Sequence, residues 1–323
     1  MTESSHQPSR REAIRMGLAA GVGLSIGRLP LSAQQLDTLA FQAQLPLVTR
    51  AIPSSGERIP AVGIGTNRFS TTPPETAKVL CDVLRKLSEV GGKVVDTARG
   101  YRTSEEVIGS CIKEIGNRDK LFIVTKFSIG GRGADADPKA GLDLAFSRLQ
   151  MDKIDVMMVH NLGGTEALLP LIREHKQAGR IRYTGVSTSS DGQYDALIAL
   201  MEKEPLDFIE VDYSLGNRNA AERVLPLAKD KGMAVLINVP FDGRGGGLLQ
   251  RLAGKPLPDM AREIDCTSWA QVCLKYVVSH PSVTAAIPGT TKVEHVIDNN
   301  GATRGRMPDE SMRRALEQHF STV

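Results

Sequence analysis

The sequence predicts an α/β fold, a closed (β/α)8 barrel, and three observations carry that reading. From about Ala61 onward, short β-branched or aliphatic runs alternate with amphipathic helical stretches, the pattern of parallel strands joined by crossover helices. The alternation repeats eight times, whereas an open doubly wound sheet usually stops at about five to seven strands. No G-x-G-x-x-G follows the first strand, so the Gly-rich opening turn of such a sheet is missing.

Arg50–Pro60 reads as a small hairpin with a Ser-Gly turn at Ser55-Gly56. Ala61–Gly65 is the first barrel strand. Pro73-Pro74 opens a helix with an apolar stripe of Val79, Leu80, Val83, Leu84 and Leu87, closed by Gly91-Gly92. Lys93-Val94-Val95 is the second strand and ends on a carboxylate, Asp96. Thr103-x-x-Glu106 reads as a capping box, starting a helix that buries Val107, Ile108, Cys111, Ile112 and Ile115.

Strands follow at Leu121–Thr125, Ile154–Val159, Arg182–Ser187, Phe208–Val211, Ala234–Ile237 and Thr284–Ile287. Helices separate them near Pro138–Leu149, Glu166–Gln177, Gly192–Glu202, Ala220–Lys231, Ser268–Ser279 and Val293–Asn300. Met307–Val323 forms a last helix packed outside. Asp242–Asp265, which contains Gly243-Arg244-Gly245-Gly246-Gly247, is a long connection. It reads as a cover over the barrel mouth, or else as a solvated insertion.

Composition is globular, 41% hydrophobic and 24% charged. Of the net charge of +3, +2 lies in residues 1–33, which leaves no basic face for nucleic acid. Cys81, Cys111, Cys266 and Cys273 show no metal spacing. Three of them read as small core residues, with a Cys81–Cys111 disulfide the minor alternative. No metal is expected.

Arg10-Arg11 precedes an apolar, Gly/Ala-rich run from Met16 to Gly27, too short to span a bilayer at about 20 residues. The segment resembles a twin-arginine (Tat) export signal, although Ala13 stands where that pattern usually has Phe. The resemblance implies residues 1–33 as a signal cleaved after Ala33, the Tat machinery as a partner, and a periplasmic destination. Read as an ordinary basic tail, the same segment leaves the protein cytoplasmic. Residues 34–46 are a linker and 47–323 the barrel.

Three polar residues fall at the C-terminal ends of consecutive strands: Asp96, Lys126 and His160. Adjacent strands in a closed barrel lie about 4.8 Å apart, so these side chains converge on one mouth. Tyr101, on the loop above Asp96, joins them. The set suits carbonyl reduction, which needs hydride at carbon and a proton at the developing alkoxide. A phenol is a sluggish acid at its unperturbed pKa of about 10, and a neighbouring ammonium lowers it. Taken singly, each residue has a structural reading as ion pair, rim residue or loop aromatic.

Asp96-Thr97-Ala98-x-x-Tyr101-x-x-Ser104-Glu105, followed by Lys126 and His160 in order, resembles the aldo-keto reductase superfamily. The resemblance implies a TIM-type barrel whose N-terminal hairpin plugs the bottom. It makes Tyr101 the general acid–base, Lys126 its pKa partner, Asp96 the orienting carboxylate and His160 the substrate-orienting donor. Gly65-Thr66 is similar to the family's G-T motif beneath the nicotinamide.

Ile181–Thr188 resembles I-R-x-x-G-x-S-N, whose Ser and Asn hold the nicotinamide carboxamide. Ser187 matches, and Thr188 replaces Asn. Glu210 replaces the usual Gln, and Asn238, before Pro240, stands where many members place a stacking Tyr. Gly289, Thr290, Thr291, Lys292, His295 and Asn299 resemble the adenosine-phosphate clamp. Hydroxyls, a helix N-terminus and a cation suit a 2′-phosphate. NADP(H) is therefore expected over NAD(H), though His295 is a weaker fork than the usual Arg.

The implied function is interconversion of an aldehyde or ketone with its alcohol by hydride transfer from a nicotinamide cofactor. The rival is a barrel that binds the nucleotide without turnover, as a sensor or interaction subunit. A barrel hydrolase or lyase lacks a metal cluster or nucleophile elbow.

Overall fold

In the computed structural model, residues 44–129, 137–243 and 247–322 are described. The signal-like segment 1–33 and most of the glycine run at 243–247 lie outside them. The chain divides into two units, 1–46 and 47–323, and the architecture below is that of the second.

The hairpin forms from β1 (Thr49–Ala51) and β2 (Arg58–Pro60), paired antiparallel with Thr49 opposite Pro60. Its reversal is wider than a two-residue turn. Ile52 N–H donates to Glu57 O, and Gly56 takes a left-handed φ of 76°. The barrel strands are β3 (Ile64–Gly65), β4 (Val94–Asp96), β5 (Phe122–Phe127), β6 (Ile154–Val159), β7 (Ile181–Ser187), β8 (Phe208–Asp212), β9 (Ala234–Asn238) and β10 (Ala285–Ala286).

All eight pair in parallel and in chain order from β3 to β10. The ring closes through bridges of Val62 with Ala286 and Gly65 with Gly289. Gly65 is needed there, because a Cβ on it would stand 2.8 Å from Ile287 O.

Helices follow the strands: α1 (Pro74–Glu89), α2 (Ser104–Ile115), α3 (Pro138–Leu149), α4 (Thr165–Gln177), α5 (Tyr194–Lys203), α6 (Val224–Asp230), α9 (Trp269–Val278) and α10 (Val293–Gly301). The connection after β9 carries two short helices, α7 (Gly247–Leu252) and α8 (Met260–Glu263). Leu248, Leu252 and Ala261 of these helices are buried in the outer core, so much of the stretch expected as a loose cover is packed structure. α11 (Glu310–Ser321) is last, capped by Asp309, whose carboxylate accepts from Met312 N–H at 2.9 Å.

The strands' alternation of side chains, period two, sorts the core into two clusters. One lies between strands and helices and includes Val95, Ile123, Met157, Ile209, Val235 and Ile237. The other fills the barrel with Val94, Phe122, Val124, Met158, Tyr183, Phe208 and Leu236. Ile52 and Ile59 of the hairpin belong to this inner cluster, so the hairpin seals the bottom. Polar contacts seat it: Tyr183 Oη lies 2.7 Å from Ser55 Oγ, and Arg182 pairs with Glu57 and with Asp155 at 2.7 Å.

Three expectations are corrected. Thr103 makes no capping hydrogen bond to α2. Its hydroxyl instead accepts from Thr71 N–H at 3.0 Å, and Glu106 pairs with Arg148 at 3.1 Å, so a longer-range contact outcompetes the box. Val79 is 43% exposed, because α1 buries only Leu80, Val83, Leu84 and Leu87 of its stripe.

Cys81 and Cys111 form a disulfide. α1 and α2 pack side by side with these Cα atoms 4.9 Å apart, which brings two core thiols together. Only Cys266 and Cys273 are free, both buried. With a sequence separation of 30, replacing both bridged cysteines by Ser is expected to cost about 2–4 kcal/mol. Non-reducing urea melts measure this, and an unchanged midpoint would show that the bridge contributes nothing.

Candidate active site

The same alternation that fills the barrel builds its mouth. On β5, Phe122 and Val124 point inward, so Lys126 does too, at the top of the strand. On β4 the inward residues are Val94 and then Asp96; on β8, Phe208 and then Glu210; on β9, Leu236 and then Asn238. His160 continues the inward set of β6 above Met158, and Ser187 that of β7 above Tyr183. A polar layer therefore caps the apolar interior at the C-terminal ends of the strands, where barrel enzymes carry their chemistry.

Lys126 is the centre of that layer, 1% exposed. Its Nζ lies 2.5 Å from Asp96 Oδ1, donates to Thr97 O at 3.1 Å, and crosses the barrel to Glu210 Oε2 at 3.0 Å. Burial opposes the ammonium, but the Asp96 and Glu210 carboxylates outweigh it and hold Lys126 above its usual pKa. Asp96, 2% exposed, is raised above the usual carboxylate range by burial and by Glu210, against the pull of Lys126. The two carboxylates compete for one cation.

Lys126 Nζ lies 5.6 Å from the centre of the Tyr101 ring. The Tyr101 and His160 rings meet edge to face, 5.7 Å apart at 86°. Burial and the nearby Lys126 ammonium depress His160 to about 4 against a smaller opposite pull from Glu210, so the imidazole is neutral at physiological pH. The four expected catalytic residues thus share one site.

The cofactor-side residues divide. Asn238 Nδ2 donates to Glu210 Oε1 at 3.0 Å and to Thr188 O at 2.9 Å, while its buried Oδ1 has no hydrogen-bond partner among the described residues. Ser187 Oγ accepts from Asn161 N–H at 3.4 Å. The hydroxyl of Thr188 donates to Gln193 Oε1 at 2.5 Å. Thr66 is likewise buried, its hydroxyl donating to Asp96 O at 2.8 Å. Pro240 is buried beyond Asn238.

Gly289 pairs with Gly65 at the seam, and Thr290 follows with its Oγ1 accepting from Lys292 N–H at 3.1 Å and 3.2 Å from His295 Nδ1. Thr291 is half-buried, and Lys292 and His295 are exposed. Lys292 caps α10 without a side-chain hydrogen bond, leaving the helix's first N–H groups without that partner. Asn299 is buried on the same helix, four residues past His295 and so on the same face.

Sequence reasoning missed several members. Ser104 links Thr97 Oγ1 at 2.9 Å to Thr66 Oγ1 at 2.8 Å, a buried hydroxyl chain that ties α2 beneath Asp96. Gln193 joins Thr188 to Asn161 O. Buried Glu105 accepts from Thr125 Oγ1 at 2.7 Å and faces Arg99 at 3.9 Å. Ser104 and Glu105 sit inside the Asp96 motif, and that adjacency was the available signal. Backbone strain collects here as well. Arg102, Asn161, Val239 and Asp242 hold φ values of 55°, 50°, 49° and 55°, each near a site residue. Among the described residues no group of His, Cys, Asp and Glu is placed to hold a metal ion.

A closed parallel barrel with its ionisable groups gathered at the C-terminal mouth is the architecture on which barrel enzymes carry their sites. The chain belongs to the aldo/keto reductase family, whose model matches residues 61–318. Aldo-keto reductase YhdN of Bacillus subtilis (strain 168) is 31% identical over 201 residues, 58% of this chain and 60% of that protein. The chain thus aligns with less than two thirds of that relative's length. The probable aldo-keto reductase 1 of Glycine max is 23% identical over 265 residues, 69% of this chain and 74% of its own. Among solved structures, an aldo/keto reductase from Klebsiella pneumoniae in complex with NADP and acetate superposes with a TM-score of 0.69 at 25% identity. It covers 82% of this chain and 93% of its own.

Proposed function

We propose that this chain interconverts an aldehyde or ketone with its alcohol, using NADP(H) in preference to NAD(H). The observation that carries the reading is the buried Lys126 ammonium, gripped by Asp96 and lying 5.6 Å from the Tyr101 ring centre. The NADP bound by the Klebsiella relative supports the choice of cofactor.

The residues present fit that cofactor. The unpartnered Asn238 Oδ1 offers an acceptor that would suit the N–H of a carboxamide. The close approach of Gly65 and Gly289 leaves bare backbone at the seam. The α10 N-terminus with Thr291, Lys292 and His295 suits a phosphate. NADPH, when bound, supplies the hydride that reaches the carbonyl carbon.

The chain supplies the proton and the position. Tyr101 gives its phenolic proton to the carbonyl oxygen as that oxygen becomes an alkoxide. Lys126 favours the phenolate that remains, and Asp96 keeps Lys126 charged and aimed. Neutral His160 donates to the same oxygen and fixes which face of the carbonyl is presented. In alcohol oxidation each proton moves the other way. NADPH consumption with a panel of aldehydes and ketones tests the reading, and equal negligible rates in wild type and a Tyr101→Phe variant would leave the non-catalytic binding barrel.

The twin-arginine segment supports export of the folded chain by the Tat machinery, with residues 1–33 removed, 34–46 as a linker and 47–323 as the barrel. The Cys81–Cys111 disulfide suits an oxidising destination. No helix among the described residues is long and apolar enough to cross a membrane. Replacing Arg10 and Arg11 by Lys is expected to abolish export, measured by fractionation of expressing cells. An unchanged periplasmic fraction would sink the export reading.

A further inference from the structure

We propose that Glu210 poises the site toward the oxidised, cationic nicotinamide, so that NADP+ binds more tightly relative to NADPH than an uncharged residue there would allow. The inference rests on the nucleotide-binding reading above and concerns the charge of a residue on its nicotinamide side.

Glu210 ends β8 pointing into the barrel and is 2% exposed. One oxygen lies 3.0 Å from Lys126 Nζ, and the other accepts from Asn238 Nδ2 at 3.0 Å. Asp96 already pairs with that ammonium from β4 at 2.5 Å. A lone Asp–Lys pair would be neutral; with Glu210 the mouth carries one excess negative charge when all three groups are ionised.

The other groups facing Glu210 do not cancel that charge. His160, from the end of β6, is neutral above about pH 4. Tyr101, on the loop after β4, is an acid and can add only negative charge. Asn238 and Ser187, from β9 and β7, are uncharged. Arg99 faces Glu105, which bonds Thr125 on the outward side of β5.

A buried negative excess favours a cation over a neutral group of the same shape, and the two redox forms of nicotinamide differ in that way. Their ring is positive when oxidised and uncharged when reduced. An opposite charge within a few ångströms commonly changes such a balance tenfold or more. The free site meanwhile relieves its excess by holding a proton on Asp96, whose carboxyl burial and Glu210 already push above its usual range, and an arriving cation releases it. Adenosine, phosphates and ribose are common to both forms, so the difference between them isolates the ring.

The test is the ratio of Kd for NADP+ to Kd for NADPH, measured by calorimetry on the full chain. Glu210→Gln is expected to raise the ratio about tenfold, while Glu210→Asp, which keeps the charge, stays near wild type. A ratio unchanged within about twofold in Glu210→Gln overturns the proposal, as the residue would then be only an anchor for Asn238 and Lys126.

Should Glu210→Gln not fold, the wild type decides. In buffers of different ionisation enthalpy, NADP+ should release more protons on binding than NADPH, and equal release overturns the proposal. A wild type that binds neither nucleotide overturns the nucleotide-binding reading itself, an outcome distinct from binding without discrimination.

Discussion

Replacing Tyr101 by Phe is expected to lower kcat for carbonyl reduction by about 10²–10⁴-fold, the usual contribution of a positioned general acid. The substitution removes one oxygen and keeps the ring, so the edge-to-face contact with His160 at 5.7 Å has no reason to change. The loop is held independently, by Tyr101 N–H donating to Ala98 O at 2.9 Å and Ser104 N–H to Tyr101 O at 3.0 Å. Binding of NADPH should therefore be little altered. kcat and kcat/KM should fall together, the signature of an interaction made only in the transition state. A variant within about tenfold of wild type would mean that the proton comes from another group.

Replacing Lys126 by Met is expected to remove most activity, about 10²-fold or more, and to destabilise the fold by about 3–5 kcal/mol. The stability loss has a separate cause. Asp96 and Glu210, each 2% exposed, would be left buried with no cation between them. Asp96, already raised by burial and by Glu210, would lose the opposing pull of Lys126 and rise further, so the penalty is full above its raised folded pKa, fades as pH falls through that value and is gone below the unfolded range near 4. Urea melts of the variant at neutral and acid pH check the sign. A deficit that does not shrink on acidification would show that lost packing, and not unpaired charge, is responsible.

Much of the barrel was legible because strand and helix periodicities are local properties of the chain. Asp96, Lys126 and His160 converge for an equally simple reason: each continues the inward face of its strand by two residues. What stayed hidden depends on closure. Glu210 meets Lys126 across the lumen, from β8 to β5, and no spacing in the sequence encodes a contact between strands that are not neighbours.

The disulfide stayed the minor alternative in the sequence for a similar reason. Cys81 and Cys111 each look like core fillers on their own helices, and only the packing of α1 on α2 sets their Cα atoms 4.9 Å apart. Thr66 and Thr188 show a different limit. Where a hydroxyl sends its one proton is not written in a motif, and here Asp96 O and Gln193 Oε1 receive them. Thr103 gives up its capping role to a competing donor distant in sequence, Thr71 N–H.

The hairpin that places Ile52 and Ile59 among the innermost side chains has a kinetic corollary. A vessel stoppered at one end has a single doorway, so under the proposed activity dinucleotide and carbonyl compound would share it. Changes confined to the stopper should register in melting and not in turnover, because no traffic passes that way.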